Sequence, residues 1–136
     1  MLFNQSTMIQ METVLRVIDN SGGKVAKCIK VYKKRVGLIG DRLLIVVRKS
    51  KIKRRDLLLN LKPAVENHVM YKALVIRTKV GLMRKDGQQF KFEKNGVILL
   101  TRSQEKLIGT RIFGPILREF RNLKQMKVLA LGSRII

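Results

Sequence analysis

The side chains that could perform catalysis are few, and their spacing does not suit it. His68 is the only histidine and Cys28 the only cysteine. The chain therefore offers no recognisable nucleophile–histidine pair, no zinc site of the Cys/His type and no internal disulfide. The two glycines in residues 37–41 lack the Gly-Lys-Ser/Thr ending of a nucleotide-binding loop. We expect a protein that is not an enzyme and that holds no metal or cofactor.

Positive charge dominates the remaining polar chemistry. Thirty Lys and Arg residues stand against nine Asp and Glu, which gives a formal net charge of +21 in 136 residues. A compact chain with this charge repels itself, and a bound polyanion relieves the repulsion. Nucleic acid is the first candidate partner and an anionic membrane surface the second. No apolar run reaches the roughly 18 residues that a membrane span needs, so we expect no span.

The cations fall into clusters that we expect to contact RNA phosphates. Each neutralised phosphate releases counterions, so several contacts give tight, salt-dependent binding with little sequence specificity. A single lysine here is as readily a solvated surface residue, but solvation alone does not explain several clusters on one small domain. The candidate RNA-binding residues are Lys24, Lys30, Lys33, Lys34, Arg35, Arg48, Lys49, Lys51, Lys53, Arg54, Arg77, Lys79, Arg84 and Lys85.

Two aromatic residues leave a second function open. Phe90 and Phe92 are in phase on one strand face, where they could form an exposed stacking platform for single strands. The next ring in the sequence is far away, and contacts to the backbone of folded RNA fit the composition better. Structured RNA is the favoured ligand. A free OB-like protein that binds single-stranded nucleic acid is the alternative.

Short β-branched runs between turn signals predict the elements that position these residues. Predicted strands cover residues 13–18, 24–33, 42–47, 71–77 and 97–100. A bulge near Cys28 and Ile29 would restore the alternation of the second strand. Asp86 and Gly87 suit the tip of a hairpin over residues 79–94. Strands at this spacing, with little helix, predict a mainly β fold built on a small closed or nearly closed antiparallel barrel.

The last part of the chain is predicted to turn sharply, form a short helix and end in a strand. Pro115 suits the first position of the helix, because its φ is fixed and it has no N–H. One face of that helix would carry Ile116, Leu117, Phe120 and Leu123. Residues 126–131 are predicted to form the terminal strand. The length of the chain allows one domain.

These motifs closely resemble the ribosomal large-subunit proteins of family fourteen, the universal uL-fourteen family, of bacterial or organellar type. The resemblance is carried by residues 17–22 (VIDNSG), 28–31, 40–41, 73–79 and 108–115 (IGTRIFGP), and by the hairpin leading into the fifth strand. It implies a five-stranded antiparallel barrel, OB-like or SH3-like, with a projecting β-hairpin and a C-terminal segment with short helices. It also implies binding to large-subunit ribosomal RNA and a bridge to small-subunit ribosomal RNA.

The resemblance further implies a protein-facing surface, on which neighbouring large-subunit ribosomal proteins pack. In bacterial-type systems a ribosome silencing factor docks on this family and blocks subunit joining. Thr110, Arg111 and Lys127 match that docking face by position, and we include Phe113 and Arg118 in it. Lys49, Lys51, Lys53 and Arg54 match the basic loop of the family. Arg77, Lys79, Arg84 and Lys85 match its hairpin arm.

Two departures from the family pattern set the domain boundaries and the expected compartment. The segment near residues 50–72 is several residues longer than the basic loop of the family and lacks its glycines, so we predict an insertion there. Residues 1–7 are a short N-terminal extension, and residues 8–136 a single ribosomal β-barrel domain. This divergence, with many Lys, Ile and Leu, favours a mitochondrial ribosome in the matrix. A bacterial cytoplasm or a plastid is the alternative.

Overall fold

The structure is a computed structural model that describes residues 9–50, 65–103 and 106–136. Five strands close into a barrel in the order β1-β2-β3-β4-β7. These strands are β1 (Val14–Val17), β2 (Gly23–Val31), β3 (Arg42–Ser50), β4 (Met70–Arg77) and β7 (Gly96–Leu100). A hairpin of β5 (Leu82–Met83) and β6 (Gln89–Phe90) connects β4 to β7. After the barrel come β8 (Ile112–Ile116), a 3-10 helix (Arg118–Arg121), α1 (Met126–Leu131) and β9 (Gly132–Ile135).

The predicted five-stranded barrel is confirmed, with one difference in strand direction. Four of its neighbouring pairs are antiparallel, but β1 and β7 pair in parallel, with Arg16 opposite Gly96 and Val17 opposite Val97. The reason is geometric. Strands that alternate in direction cannot do so all the way around a closed ring with an odd number of members, so one pair must run parallel.

The predicted bulge in the second strand is confirmed as well. The register of β2 against β3 shifts between Cys28 and Lys30, and again near Val25. The extra residue lets Ala26, Cys28 and Val31 all lie inside the barrel, although their spacing breaks a strict alternation. Burial raises the pKa of the Cys28 thiol to about 11, as expected for a small hydrophobe in the core.

Strands β4 and β7 are buried on both faces. Alternate residues of the two strands, Ala73, Val75, Val97 and Leu99, belong to the cluster that fills the barrel. The residues between them belong to a second cluster outside the barrel: Leu74, Ile76, Ile98 and Leu100. This is why both segments are continuously apolar rather than alternating. Fully burying each valine, leucine or isoleucine side chain among them stabilises the fold by about 1.5–3 kcal/mol.

The C-terminal segment covers the outer face of β4 and β7, but its elements differ from the prediction. Pro115 lies in β8 instead of starting a helix, where it coincides with a register shift of β8 against β9. A proline is tolerated at such an irregularity because no ladder hydrogen bond is needed from it. The predicted helix is reduced to one 3-10 turn, which buries Phe120, while Leu123 is 48% exposed.

The predicted terminal strand at residues 126–131 is wrong. These residues form α1, which buries Val128 and Leu129, and a strand follows directly as β9. Six mostly apolar residues fit a strand and a single-sided helix equally well, so periodicity could not decide between them. The neighbouring 3-10 helix and β8 provide the surface on which α1 packs.

The predicted hairpin is present, and Arg84, next to its tip, contacts the C-terminal segment. Gly87 at its tip has a φ of +91°, as the Asp-Gly turn predicted. Arg84 donates from Nε and Nη2 to the carboxylate of Glu119 and from Nη2 to the carbonyl oxygen of Ile136. Its guanidinium carbon also lies 4.2 Å from the centre of the Phe90 ring. The arginine therefore joins the hairpin to the 3-10 helix and the end of β9.

This ion pair is expected to contribute to stability above the ordinary pKa of a glutamate. Partial burial alone would raise the pKa of Glu119, but the hydrogen bond and charge of Arg84 hold it below its usual value. The stabilisation is therefore present at neutral pH and is lost as the pH falls through the lowered pKa. Replacing Glu119 by Gln or Arg84 by Met should cost about 1.5–3 kcal/mol in the free energy of unfolding at pH 7.

Urea unfolding at pH 7 and at pH 3 measures this effect. The difference between wild type and Glu119→Gln should shrink at the lower pH. Lys85→Met, an exposed cation on the same hairpin, is the control and should change stability by no more than about 0.5 kcal/mol. An equal loss in Lys85→Met, or a Glu119→Gln deficit that does not change with pH, would contradict the assignment.

Candidate nucleic-acid interface

The cations predicted on the second and third strands lie exposed on the outside of the barrel, as an RNA interface requires. Inward residues of β2 and β3 are apolar, so the lysines and arginines between them face solvent. Pairing of Val25 with Lys49 brings one end of β2 next to the end of β3, where Lys24, Arg48 and Lys49 gather. All three are exposed. We call this group the β2–β3 end cluster.

A second group lies at the opposite end of the same ladder. Lys30 is near the end of β2, and Lys33, Lys34 and Arg35 are in the turn that follows; all four are exposed. Lys30 lies six positions after Lys24, which corresponds to about 20 Å along a strand. In the sequence these cations form a single set of candidate RNA-binding residues. The structure divides them into two groups on one face of the ladder.

Two of the predicted RNA-binding arginines instead make contacts within the protein. Arg77 is half-buried and donates from Nη2 to the carbonyl oxygen of Phe113 at 2.9 Å, and burial lowers its pKa. Arg84 is committed to Glu119, with only 8% of its side chain exposed. Both guanidiniums fasten the C-terminal segment to the barrel and its hairpin. The structure thus gives each of them a structural role.

The remaining candidates are divided between exposed positions and residues outside the described part of the chain. Lys79 and Lys85 are exposed on the hairpin arm. Lys51, Lys53 and Arg54 lie outside the described residues, as does most of the predicted insertion. The N-terminal extension lies outside them too.

On the predicted protein-facing surface, one side chain holds the loop before β8. The Oδ1 atom of Asn20 accepts from the backbone N–H groups of Thr110 at 2.7 Å and Arg111 at 3.0 Å. Its Nδ2 donates to the Thr110 hydroxyl at 2.8 Å, and its backbone N–H donates to the carbonyl of Arg111. Asn20 follows β1, so the turn after the first strand fixes the shape of a loop 90 residues away.

The neighbouring Asp19 joins that turn to the barrel. It is 7% exposed, and its carboxylate accepts from the backbone N–H and hydroxyl of Ser21 and from the backbone N–H of Leu99 in β7. Burial raises its pKa, while the hydrogen bonds from Ser21 and Leu99 oppose the rise. Asp19 and Asn20 together connect β1, β7 and the loop that carries Thr110 and Arg111.

The two glycines of this region serve close approach inside the protein. A Cβ on Gly109 would lie 2.9 Å from Oδ1 of Asn20 and 3.0 Å from Cβ of Asp19. Gly114 has a φ of +84°, and a Cβ there would lie 2.1 Å from an Nη atom of Arg77. Both positions exclude a side chain because internal residues occupy the space.

All five residues predicted for the protein-facing surface are exposed. Thr110 and Arg111 lie on the loop held by Asn20, and Phe113, in β8, is 54% exposed. Arg118 lies in the 3-10 helix and Lys127 in α1, so they belong to different elements of the same segment. Aromatic residues and arginine are enriched at protein–protein interfaces, so Phe113, Arg111 and Arg118 suit the predicted role of this surface.

The described residues contain no group of three His, Cys, Asp or Glu side chains arranged to hold a metal ion. Among them there is also no helix long and apolar enough to cross a membrane.

Comparison with known proteins identifies the family. The sequence matches the family described as ribosomal protein L14p/L23e over residues 8–136. The chain belongs to this family. A protein of Carsonella ruddii (strain PV), named large ribosomal subunit protein uL14, is 44% identical to it over 95% of this chain and the whole of that protein. The resemblance found in the motifs is confirmed, and a family of ribosomal proteins is not one of enzymes.

Residue types alone did not reveal the roles of Asp19 and Asn20 in this L14p/L23e member. The Asp-Asn-Ser-Gly run was interpreted as a turn, which is correct. One signal could have indicated more. Within this turn the Asp19 side chain accepts from a backbone N–H, that of Ser21, whereas the Asn20 side chain bonds to residues outside the turn. Tyr32 and Lys72, which are not among the predicted site residues, line a cleft beside the second cationic group.

We expect the Asn20 contacts to control the loop more than the fold. Asn20→Ala removes three hydrogen bonds at an exposed site and should cost about 1–2 kcal/mol in the free energy of unfolding. Amide hydrogen exchange at residues 110 and 111 should become faster, with the exchange of β4 and β7 changed little. Asn20→Asp keeps the oxygen that accepts from both amides and should retain most of their protection. Unchanged exchange at both amides in Asn20→Ala would contradict this role.

Proposed function

We propose that this protein is a structural constituent of the large ribosomal subunit that binds large-subunit ribosomal RNA through the cationic face of its barrel. The observation that carries the proposal is the arrangement of exposed Lys and Arg side chains at both ends of the β2–β3 ladder on a chain of net charge +21. The name of its uL14 relative supports the assignment to the large subunit.

The geometry favours contacts to RNA phosphates over reading of bases. The exposed cations lie on a rigid barrel, and most of them are lysines, which act as point charges toward phosphate. A rigid cationic face can neutralise phosphates where RNA helices approach each other, with little dependence on sequence. The protein then acts as a fixed element that joins RNA segments.

The finer roles concern the subunit interface. We infer that the surface formed by Thr110, Arg111, Phe113, Arg118 and Lys127 faces protein partners, which are neighbouring ribosomal proteins and a ribosome silencing factor. The hairpin tip with Lys85 is exposed and suits a bridge to small-subunit ribosomal RNA. The rigid attachment of the loop at 110–111 through Asn20 supports the first role, because a preorganised surface binds with a smaller entropy cost.

The compartment is a separate part of the proposal. The sequence predicts a mitochondrial ribosome, and the alternatives are a bacterial cytoplasm and a plastid. Its uL14 relative comes from Carsonella ruddii. Detection of the chain in large subunits from purified mitochondria supports the mitochondrial assignment. A source organism without mitochondria overturns it.

The alternative function, a free single-strand binder, is disfavoured by the two phenylalanines on which it rests. Phe90 and Phe92 are partly buried against the outer hydrophobic cluster, and the guanidinium of Arg84 lies over the Phe90 ring. Neither ring is the open platform that base stacking requires. The structure thus removes the main support for that alternative.

Substitution of the β2–β3 end cluster tests RNA binding. Lys24, Arg48 and Lys49 changed together to Ala should weaken binding to large-subunit ribosomal RNA transcribed in vitro. The slope of log K against log salt should become shallower by about 0.7–0.9 for each phosphate that the variant no longer neutralises. The matched control replaces three exposed cations elsewhere, Lys106, Lys124 and Arg134, with the same reduction in charge.

Equally weakened binding in the two triple variants would show that affinity depends on total charge and not on this face. Binding of the wild type that is no stronger to ribosomal RNA than to a random RNA of equal length would contradict the proposed function. Thermal unfolding of each variant confirms that the fold is retained.

A further inference from the structure

Asn95 is followed directly by Gly96, at the point where the chain enters β7. In such a pair the asparagine side chain is open to attack by the main chain, because glycine has no Cβ to hinder the approach of its backbone nitrogen. The attack is intramolecular, so its rate depends on whether the backbone can bring the two reacting atoms together. The sequence contains no second Asn-Gly pair.

This reaction is a deamidation, and its products follow from the bonds involved. The backbone nitrogen of Gly96 loses its proton and attacks Cγ of Asn95, the bond from Cγ to Nδ2 breaks, and ammonia leaves with that proton. The product is a succinimide ring. Water then opens the ring at one of its two carbonyl carbons. One opening gives aspartate, and the other gives isoaspartate, in which the main chain runs through Cβ and Cγ.

In the folded protein both reacting groups are held in place by other contacts. The Asn95 side chain is 8% exposed, and its Oδ1 atom accepts from the backbone N–H of Lys79 at 3.0 Å. Gly96 is buried and paired on both sides, opposite Arg16 of β1 and Arg77 of β4. Ring closure requires the side chain to leave Lys79 and the peptide between residues 95 and 96 to rotate out of the sheet. The reaction therefore needs local opening of the barrel.

Packing in the barrel favours glycine after Asn95. A Cβ on Gly96 would lie 3.0 Å from Cγ2 of Ile18 and 3.3 Å from Nε of Arg77. A side chain at this position would therefore require its neighbours to move. The close packing that the folded protein needs here leaves the unfolded chain with a reactive pair.

An isoaspartate at position 95 would disrupt the closure of the barrel. In the described part of the chain β1 and β7 pair at two positions, Arg16 with Gly96 and Val17 with Val97. The backbone N–H of Arg16 also donates to the carbonyl oxygen of Asn95 at 3.0 Å. In isoaspartate that carbonyl becomes a carboxylate outside the main chain, and the extra main-chain carbon moves Gly96 out of register with Arg16.

We propose that Asn95 is a deamidation site that reacts in unfolded copies of the chain and is protected by closure of the barrel. Copies that acquire isoaspartate can no longer close the barrel, so the reaction removes them irreversibly from the population that folds. Copies that acquire aspartate keep the main-chain geometry and an oxygen that accepts from Lys79. This inference goes beyond the proposed function and does not depend on RNA binding.

The test follows the full-length protein by mass spectrometry of its proteolytic peptides, with chromatographic separation of aspartate from isoaspartate. One sample is kept folded and another is unfolded in guanidinium chloride, at the same temperature and near neutral pH. Asn122, which is exposed and followed by a leucine, is the internal reference. The variant Asn95→Asp has the charge of the product on an unchanged main chain and is the matched control for refolding.

In denaturant, Asn95 should deamidate at least about tenfold faster than Asn122, because only Asn95 precedes a residue without a Cβ. Folding should slow the reaction at Asn95 by about a hundredfold or more, since only the opened population reacts. After dilution from denaturant and size-exclusion chromatography, unmodified chains and Asn95→Asp should be recovered in the folded fraction. Chains with isoaspartate should be depleted from it.

Four results would overturn the inference. Equal rates at Asn95 and Asn122 in denaturant would show that the pair is not especially reactive. Equal rates at Asn95 in folded and unfolded protein would show that the barrel does not protect it. Recovery of isoaspartate chains in the folded fraction as complete as that of unmodified chains would show that closure tolerates the modification. A folded yield of Asn95→Asp as low as that of isoaspartate chains would assign the damage to the added charge. The RNA-binding measurements on the unmodified protein test the proposed function separately.

Discussion

The constraint on which this structure depends is the repulsion within a chain of 136 residues that carries a net charge of +21. Two unit charges 4 Å apart repel by about 1 kcal/mol in water and by several times that amount near a protein surface. The nine acids are already subtracted in this net charge, so ion pairs such as Asp41 with Lys34 and Glu119 with Arg84 do not reduce it. A stable fold therefore needs a strong apolar core, and the excess cations need a polyanion.

The apolar core is large because two strands of the barrel are buried on both faces. Strands β4 and β7 close the barrel through one face and carry the C-terminal segment on the other, so two hydrophobic clusters share the same pair of strands. Polar groups then fix the second layer in place. Asn20 holds it at the end of β1, Arg77 holds Phe113, and Arg84 holds Glu119. These contacts join the two layers, and the β2–β3 cations face outward.

Local signals in the sequence predicted most of this architecture. The five barrel strands, the bulge near Cys28 and the Asp-Gly hairpin follow from β-branched runs and turn chemistry that act over a few residues. The parallel pairing of β1 with β7 follows from the odd number of strands in a closed ring. Short segments whose conformation is decided by their neighbours were predicted less well: α1 was assigned as a strand and Pro115 was placed in a helix.

The candidate site was predictable in composition but not in arrangement. A lysine or arginine looks the same in a sequence whether it faces RNA or an internal carbonyl, so Arg77 and Arg84 were grouped with the exposed cations. Phe90 and Phe92 looked equally suitable for stacking and for packing. The cleft around Tyr32 depends on Lys72, which lies far along the chain, and only the strand register brings the two together. Contacts between residues far apart in the chain can be identified from the fold but not from residue spacing in the sequence.

Sedimentation of a cell or organelle lysate through a density gradient, first at moderate and then at high salt, tests the central claim most directly. A chain held by many phosphate contacts and by packing within a large particle should migrate with the large subunit and remain there through the high-salt wash. Recovery at the top of the gradient at both salt concentrations would contradict a structural role in the ribosome.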